Sequence, residues 1–119
     1  MHFQIDHDPI SGGHLIVARG ELDIGATPRL STVLAMAGAS RGGRLVLDLA
    51  GVDFIDSTAL GTILKAASEL EESSTALAVV APDGPVRRLL EMTNLTGRFR
   101  VFSTRVEALE HRPASSPAV

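Results

Sequence analysis

Apolar and polar residues alternate at the start of the chain. In MHFQIDHD, Phe3 and Ile5 are separated by polar residues, which is the pattern of a strand with one buried face. PISGG then offers turn residues, and HLIVARG is a short run rich in branched residues, as in a second strand. We therefore expect a β-hairpin at the start of the chain.

Three later segments carry apolar residues at helical spacing, and a shorter terminal helix is expected in STRVEALEHR. The first begins near Thr27, a candidate cap, with Pro28 at its first position, where the missing N–H costs nothing. The second begins near Ser57 and the third follows Gly84. The expected buried stripes are Leu30, Val33, Leu34 and Ala37 in the first, Leu60, Ile63, Leu64, Ala67 and Leu70 in the second, and Val86, Leu89 and Leu90 in the third.

Nearly continuous apolar runs separate these helices. RLVLDLAG and TALAVV have the pattern of strands covered on both faces, and RFRVF predicts a short last strand. Strands that alternate with helices imply right-handed crossovers and parallel pairing. We expect an α/β fold with a mixed, mostly parallel sheet of about five strands opened by the hairpin, and about four helices. Residues 1–112 form one domain in this interpretation, and residues 113–119, PASSPAV, form a flexible tail.

The composition narrows the class of protein. The 119 residues carry a net charge of −3 and only four aromatic side chains, all phenylalanine, which argues against nucleic-acid binding. Zero cysteines exclude disulfides and thiolate metal sites. No apolar run approaches the roughly 18 residues of a membrane-spanning helix, and the first residues lack the pattern of a secretory signal. We expect a cytoplasmic protein without direct membrane insertion.

Polar residues collect at three junctions where strands give way to helices: GELD at 20–23, VDFIDST at 52–58 and APDGP at 81–85. Functional groups of open α/β sheets gather at such carboxyl ends. Helix capping by Thr27, by Asp56 or Ser57, and by Asp83 is the simplest explanation for these residue types. A helix start can also hold a phosphate through its free N–H groups and its positive dipole end.

Neither a metal site nor an autonomous enzyme is expected. The candidate ligands His7 and His14 lie near Asp6 and Asp8, but in a strand His7 points away from both carboxylates, and His14 lies beyond a turn. The chain has no Gly-x-Ser-x-Gly motif, and its motifs do not supply a nucleophile, a base and an orienting group together. No cofactor is expected.

Three stretches together resemble a known family. GELD, LVLDLAGVDFIDSTALGTIL and APDGPVRRLLEMTNLTGRFRVF are similar, in this order, to the STAS domain family, and most closely to stand-alone bacterial anti-sigma factor antagonists. The resemblance spans about Phe3 to Glu110, and its most specific part is the Asp-Ser-[Ser/Thr]-x-Leu-Gly signature. It implies an α/β fold, in agreement with the periodicity.

The resemblance also implies a function. Ser57 matches the serine that a partner-switching anti-sigma kinase phosphorylates, and Thr58 is the second candidate. Asp23 matches an acidic residue beside the phosphorylated serine. By this resemblance, the unphosphorylated protein binds the anti-sigma factor kinase and frees a sigma factor for transcription, for example in a stress response. Phosphorylation of the protein dissociates it from the kinase. A PP2C-type phosphatase then removes the phosphate. The implied partner-binding residues are Asp23, Asp56, Ser57, Thr58, Leu60 and Gly61.

Two other functions remain open at this point. The chain could be a STAS subunit of a membrane lipid or solute transport complex, in which Ser57 or Thr58 contacts an ATPase subunit without acting as a switch. A phosphorelay receiver would use Asp48 or Asp53, but the only lysine, Lys65, lies in a predicted helix and not near the last strand.

Overall fold

The computed structural model describes residues 2–39, 43–95 and 97–111. The expected tail at 113–119 lies outside these residues. Within them, no helix is long and apolar enough to cross a membrane. In chain order the elements are β1 (Phe3–Ile10), β2 (Gly13–Leu22), α1 (Thr27–Gly38), β3 (Gly43–Ile55), α2 (Ser57–Glu72), β4 (Thr75–Val80), α3 (Pro85–Thr93), β5 (Phe99–Phe102) and α4 (Arg105–Glu110).

The five strands form one mixed sheet in the order β1-β2-β3-β4-β5. β1 is antiparallel to β2, whereas the other pairs are parallel. Ile10 pairs with Gly13, so the hairpin turn has two residues, and the second, Gly12, has φ +77°, a value that favours glycine. The predicted fold, with five strands, four helices and an opening hairpin, is confirmed.

Helices cover the two faces of the sheet unequally. The larger core joins one sheet face to α1, α2 and α3, with fully buried Leu30, Ile63 and Leu90 as their central contacts. The smaller core lies under α4 on the opposite face and contains Val46 and Ala108. The expectation of strands covered on both faces is confirmed, but one six-residue helix is the only one that the described part of the chain places on the second face.

Two of the predicted helix caps are wrong. The helix α1 begins at Thr27 itself, with Ala26 as its N-cap and no side-chain cap. The Thr27 hydroxyl instead donates to the carbonyl oxygen of Asp23 at 3.3 Å, which belongs to the turn before the helix. The helix α3 has Gly84 as its N-cap, again without a side-chain bond, so Asp83 does not cap it.

The strand β3 is longer than predicted. It continues past Gly51 to Ile55 because its pairing with β2 persists through two register shifts. Its pairing with β4 ends earlier, at Asp48 opposite Val80. Seven further residues of β3 thus extend beyond β4, a distance of about 20 Å at the usual rise of a strand. The third polar junction, APDGP, is therefore well separated from the other two along the sheet.

An ion pair links α4 to the sheet. Thr104 caps this helix in a capping box with Glu107, so the helix begins two residues later than STRVEALEHR suggested. The first helical residue, Arg105, donates from Nε to Oδ2 of Asp48 at 2.7 Å. The Asp48 side chain is only 5% exposed, and its Oδ1 accepts from the Ala50 N–H at 2.8 Å. Both carboxylate oxygens are thereby satisfied.

Substitution of Arg105 by Gln should destabilise the fold through Asp48. It would leave a nearly buried carboxylate without its cationic partner, at a cost of about 1 to 3 kcal/mol in the free energy of unfolding. Urea denaturation would measure this loss. Arg19→Gln is the matched control, because the Arg19–Asp6 pair is about half exposed and should contribute less than about 1 kcal/mol. Equal losses in both variants would contradict the proposed role of Asp48.

Candidate functional site

Two of the three polar junctions meet at one end of the sheet. The last residues that β2 and β3 pair are Leu22 and Ile55, so Asp23 and Asp56 follow neighbouring positions on adjacent strands. The Asp56 N–H donates to the carbonyl oxygen of Leu22 at 3.0 Å and joins the two junctions directly. Parallel pairing thus places GELD beside the start of α2, as strand carboxyl ends require.

The glycine of GELD has a structural role. Gly20 has φ +88°, and a Cβ there would lie 2.2 Å from the backbone oxygen of His2. The next residue, Glu21, donates its N–H to that same oxygen at 2.9 Å. Only glycine allows the start of β1 to approach so closely, and this contact holds the GELD turn in place.

Asp56 is the N-cap of α2, in agreement with one of the two predicted alternatives. Its backbone is extended, with φ −95° and ψ 176°, and its Oδ1 accepts from the Ala59 N–H at 2.9 Å. Asp23 has a different local role, because its Oδ1 accepts from the Gly25 N–H at 3.0 Å and stabilises the turn before α1. Both carboxylates are half-buried, and each is followed directly by an exposed residue, Ile24 after Asp23 and Ser57 after Asp56.

Ser57 and Thr58 are exposed in the first turn of α2. The first N–H groups of a helix have no partner within the helix, and Asp56 satisfies only that of Ala59. The Ser57 hydroxyl makes no hydrogen bond to any of the residues that the structure describes. A group attached to Ser57 would therefore break no contact seen here and would lie beside free backbone donors.

The two hydroxyl residues lie on different sides of α2. Residues four apart share a helix face, so Ser57 lies on the same face as Gly61, and Thr58 lies on the same face as Thr62. Thr62 donates its hydroxyl to the Thr58 carbonyl at 3.1 Å and lines the groove between α2 and α1. A Cβ at Gly61, in contrast, would meet no atom within 4 Å. The Ser57 side is therefore the more open one.

Leu60 and Gly61 have opposite environments. Leu60 is 8% exposed and packs in the larger core, so it supports the start of α2 from below and offers little surface to a partner. Gly61 is exposed, and packing within the chain does not require a glycine at this position. The approach of a partner to Gly61 remains a prediction.

Two exposed apolar side chains near these junctions were not anticipated. Ile24, directly after Asp23, is 69% exposed, and Phe54, two residues before Asp56, is 50% exposed. Neither is among the residues predicted for the site, because Ile24 directly follows GELD and Phe54 lies within VDFIDST, two stretches singled out for their polar residues. Phe54 pairs with exposed Glu21, one position before the buried pair of Leu22 and Ile55, so it lies on the face of the sheet opposite α2. Large exposed apolar side chains are typical of interaction surfaces.

The histidines are arranged differently from the expectation. The hairpin brings His7 and His14 together, with Nε2 and Nδ1 2.9 Å apart. The argument that the turn separates them is therefore wrong. No group of three or more His, Cys, Asp or Glu side chains that could hold a metal occurs in the ranges 2–39, 43–95 and 97–111. The third junction lies apart from the site, because the pairing of β4 with β3 ends at Asp48, seven residues before the end of β3.

Comparison with known proteins places the chain in a family. The STAS domain family matches residues 7–108, and the chain belongs to it. An anti-sigma-F factor antagonist of Mycobacterium tuberculosis, RsfB, is 33% identical over 104 residues, which are 87% of this chain and 82% of that protein. The resemblance inferred from GELD and IDSTALG is thereby confirmed.

Solved structures agree with this family membership. A crystal structure of an anti-sigma factor antagonist from Mycobacterium paratuberculosis superposes with a TM-score of 0.80 at 25% identity and covers 91% of this chain and 92% of that one. The phosphorylated form of the Bacillus cell fate determinant SpoIIAA has a TM-score of 0.62 at 22% identity, with 89% and 96% covered. This second likeness concerns the fold alone.

Removal of the Asp56 cap should destabilise α2. We expect Asp56→Ala to lower the free energy of unfolding by about 1 kcal/mol, because the Ala59 N–H loses its acceptor. Asp56→Asn keeps an acceptor and should differ from the native protein by only a few tenths of a kcal/mol. Chemical denaturation of both variants, with amide exchange of Ala59, measures the effect. Equal stability of Asp56→Ala and the native protein would contradict the assigned cap.

Proposed function

We propose that this protein is an anti-sigma factor antagonist that binds an anti-sigma factor kinase in its unphosphorylated form and is released by phosphorylation at Ser57. The exposed position of Ser57 at the first residue of α2 carries the proposal. The names of the relatives support the general role. The site supports the specific mechanism through its accessibility, its local charge and the absence of contacts that a phosphate would disrupt.

Accessibility favours Ser57 over Thr58 as the phosphorylated residue. Both side chains are exposed, but a kinase that reaches Ser57 approaches along the open face above Gly61. Thr58 lies on the side of Thr62 and the groove toward α1, where another helix restricts approach. Ser57 is therefore the first site, and Thr58 the alternative.

Electrostatics explains how one phosphate would change binding without changing the fold. The modification adds about −1.5 to −2 charges beside the carboxylates of Asp23 and Asp56. Within the protein, the free N–H groups and positive end of α2 offset this charge. In a desolvated interface, the same charge would oppose any partner surface that fits the neutral serine and its acidic neighbours.

The proposed contact surface consists of Asp23, Ile24, Asp56, Ser57, Thr58 and Gly61, with Leu60 beneath it. Exposed Ile24, directly after Asp23, supplies apolar area, which a purely polar site would lack. Gly61 leaves space for close approach beside the serine. A PP2C-type phosphatase would remove the phosphate from the same exposed position. The protein would then be a substrate of both the kinase and the phosphatase, and not itself an enzyme.

A paired pull-down from the native lysate tests the switch. We expect tagged Ser57→Ala to recover an ATP-binding anti-sigma factor kinase, identified by mass spectrometry, and Ser57→Glu to lose it, because glutamate approximates the added charge. Thr32→Glu adds the same charge on the exposed surface of α1, outside the proposed contact surface, and is the control that should still recover the kinase. Both serine variants should keep the native free energy of unfolding within about 1 kcal/mol, so lost binding is not lost folding. Recovery of the same transport subunits by both serine variants would favour the transport-complex alternative.

Gly61 provides a second test that separates binding from stability. Gly61→Ala should stabilise the protein by about 0.5 to 1 kcal/mol, because alanine is the better helix former and a Cβ meets no atom. We nevertheless expect kinase binding to weaken, since the methyl group fills space beside Ser57. Thermal denaturation and isothermal titration with the recovered kinase measure the two effects. Unchanged affinity in a stabilised variant would remove Gly61 from the contact surface.

A further inference from the structure

Three arginines surround a pocket on the face of the sheet that carries α4, at the opposite end from Ser57. The pocket has a volume of about 380 Å³ and is lined by Arg44, Arg98, Arg100, Phe102 and His111, among others. This volume lies within the range of small-molecule sites. None of the described residues that line it is acidic.

The strand register explains how the pocket forms. Arg44 on β3 pairs with Ala76 on β4, and Ala78 on β4 pairs with Arg100 on β5. Alternate residues of a strand share a face, so the two alanines lie between the two arginines on one face. At strand spacings of about 4.8 Å, the arginine Cα atoms are roughly 10 to 12 Å apart. The short alanine side chains leave a depression toward which both long side chains can converge.

The charges of this pocket are only partly neutralised. Arg98 pairs with Glu71 at 3.2 Å. Arg44 and Arg100 have no carboxylate partner among the residues that the structure describes. In a protein of net charge −3, this concentration of cationic side chains is a local exception. It favours an anionic ligand.

One of these arginines is held in position by the protein. Arg44 donates from Nη1 to the carbonyl oxygens of Leu109 at 2.9 Å and His111 at 3.1 Å, at the end of α4. These bonds use one nitrogen of the guanidinium group and leave its other donors for a ligand. They also offset the partial negative charge of the helix end, which would otherwise oppose an anion.

An aromatic surface adjoins the cationic groups. The guanidinium carbon of Arg100 lies 5.7 Å from the centre of the Phe102 ring, and the His111 ring lies 5.3 Å from the same ring. Phe102 is half-buried, so part of its ring is accessible. A ligand with both a phosphate and a flat apolar group would match the two halves of the pocket.

We propose that this pocket binds a small, soluble phosphate monoester that carries an aromatic or apolar group. The phosphate lies between Arg44 and Arg100, because guanidinium groups match phosphate oxygens in pairs. The apolar group lies against Phe102 above the alanine floor. The proposal is independent of the Ser57 switch, since the pocket shares no residue with that surface.

Titration of the full chain with phenyl phosphate, followed by NMR, tests the proposal. We expect saturable shifts of the Arg44, Ala78 and Arg100 signals, with a dissociation constant of about 1 mM or lower. Inorganic phosphate should bind at least about tenfold more weakly, because it lacks the ring, and benzyl alcohol should not bind measurably. Equal affinity for phenyl phosphate and inorganic phosphate would overturn the two-part site.

Three variants make the test specific. Arg100→Gln should weaken phenyl phosphate about tenfold or more, whereas Arg88→Gln, on exposed α3 surface, should stay within about twofold. Ala76→Leu keeps every arginine but fills the floor, and should also abolish binding. Equal losses in Arg88→Gln and Arg100→Gln would mean general attraction and overturn the site. Co-sedimentation with phosphatidate vesicles, absent in Arg100→Gln, would assign the pocket to a membrane lipid and overturn a soluble ligand.

Discussion

The parallel pairing of β2 with β3 is the constraint on which the proposed function depends. This pairing continues past the end of β4, and its last pair is Leu22 with Ile55. The backbone N–H of Asp56 then donates to the carbonyl oxygen of Leu22. This one contact aligns the GELD turn with the start of α2. If the strands slipped by a single residue, their buried and exposed faces would exchange, and the core beneath α2 would be lost.

Buried side chains and an open surface lie together at the start of α2. Ala59 and Ile63 are fully buried, and Asp56 caps the helix from within the chain. Directly above them, Ser57 is exposed and makes no side-chain bond to the described residues, while Gly61 leaves open space. Under the proposed function, a change of charge at Ser57 would alter what can bind at this surface without any refolding of the domain.

Local patterns predicted much of the architecture. Helical spacing placed the start of α2 at Ser57, and the apolar run TALAVV matches β4 from Thr75 to Val80. Caps were less predictable: Asp56 was among the candidates, but Thr27 and Asp83 bond elsewhere or not at all. Several residue types near a helix start can cap it, and the path of the preceding turn selects among them.

The sequence by itself determined the fold class, the family and the serine at the start of a helix, because periodicity and the IDSTALG signature are local properties of the chain. Only the tertiary structure decided what surrounds that serine. The exposure of Phe54 depends on the sheet face that the β2–β3 register gives it, and the contact of His7 with His14 depends on the hairpin register. Arg44 and Arg100, which line the pocket on the α4 face, lie on β3 and β5 on either side of β4. Such neighbours are distant in sequence, and only strand pairing brings them together.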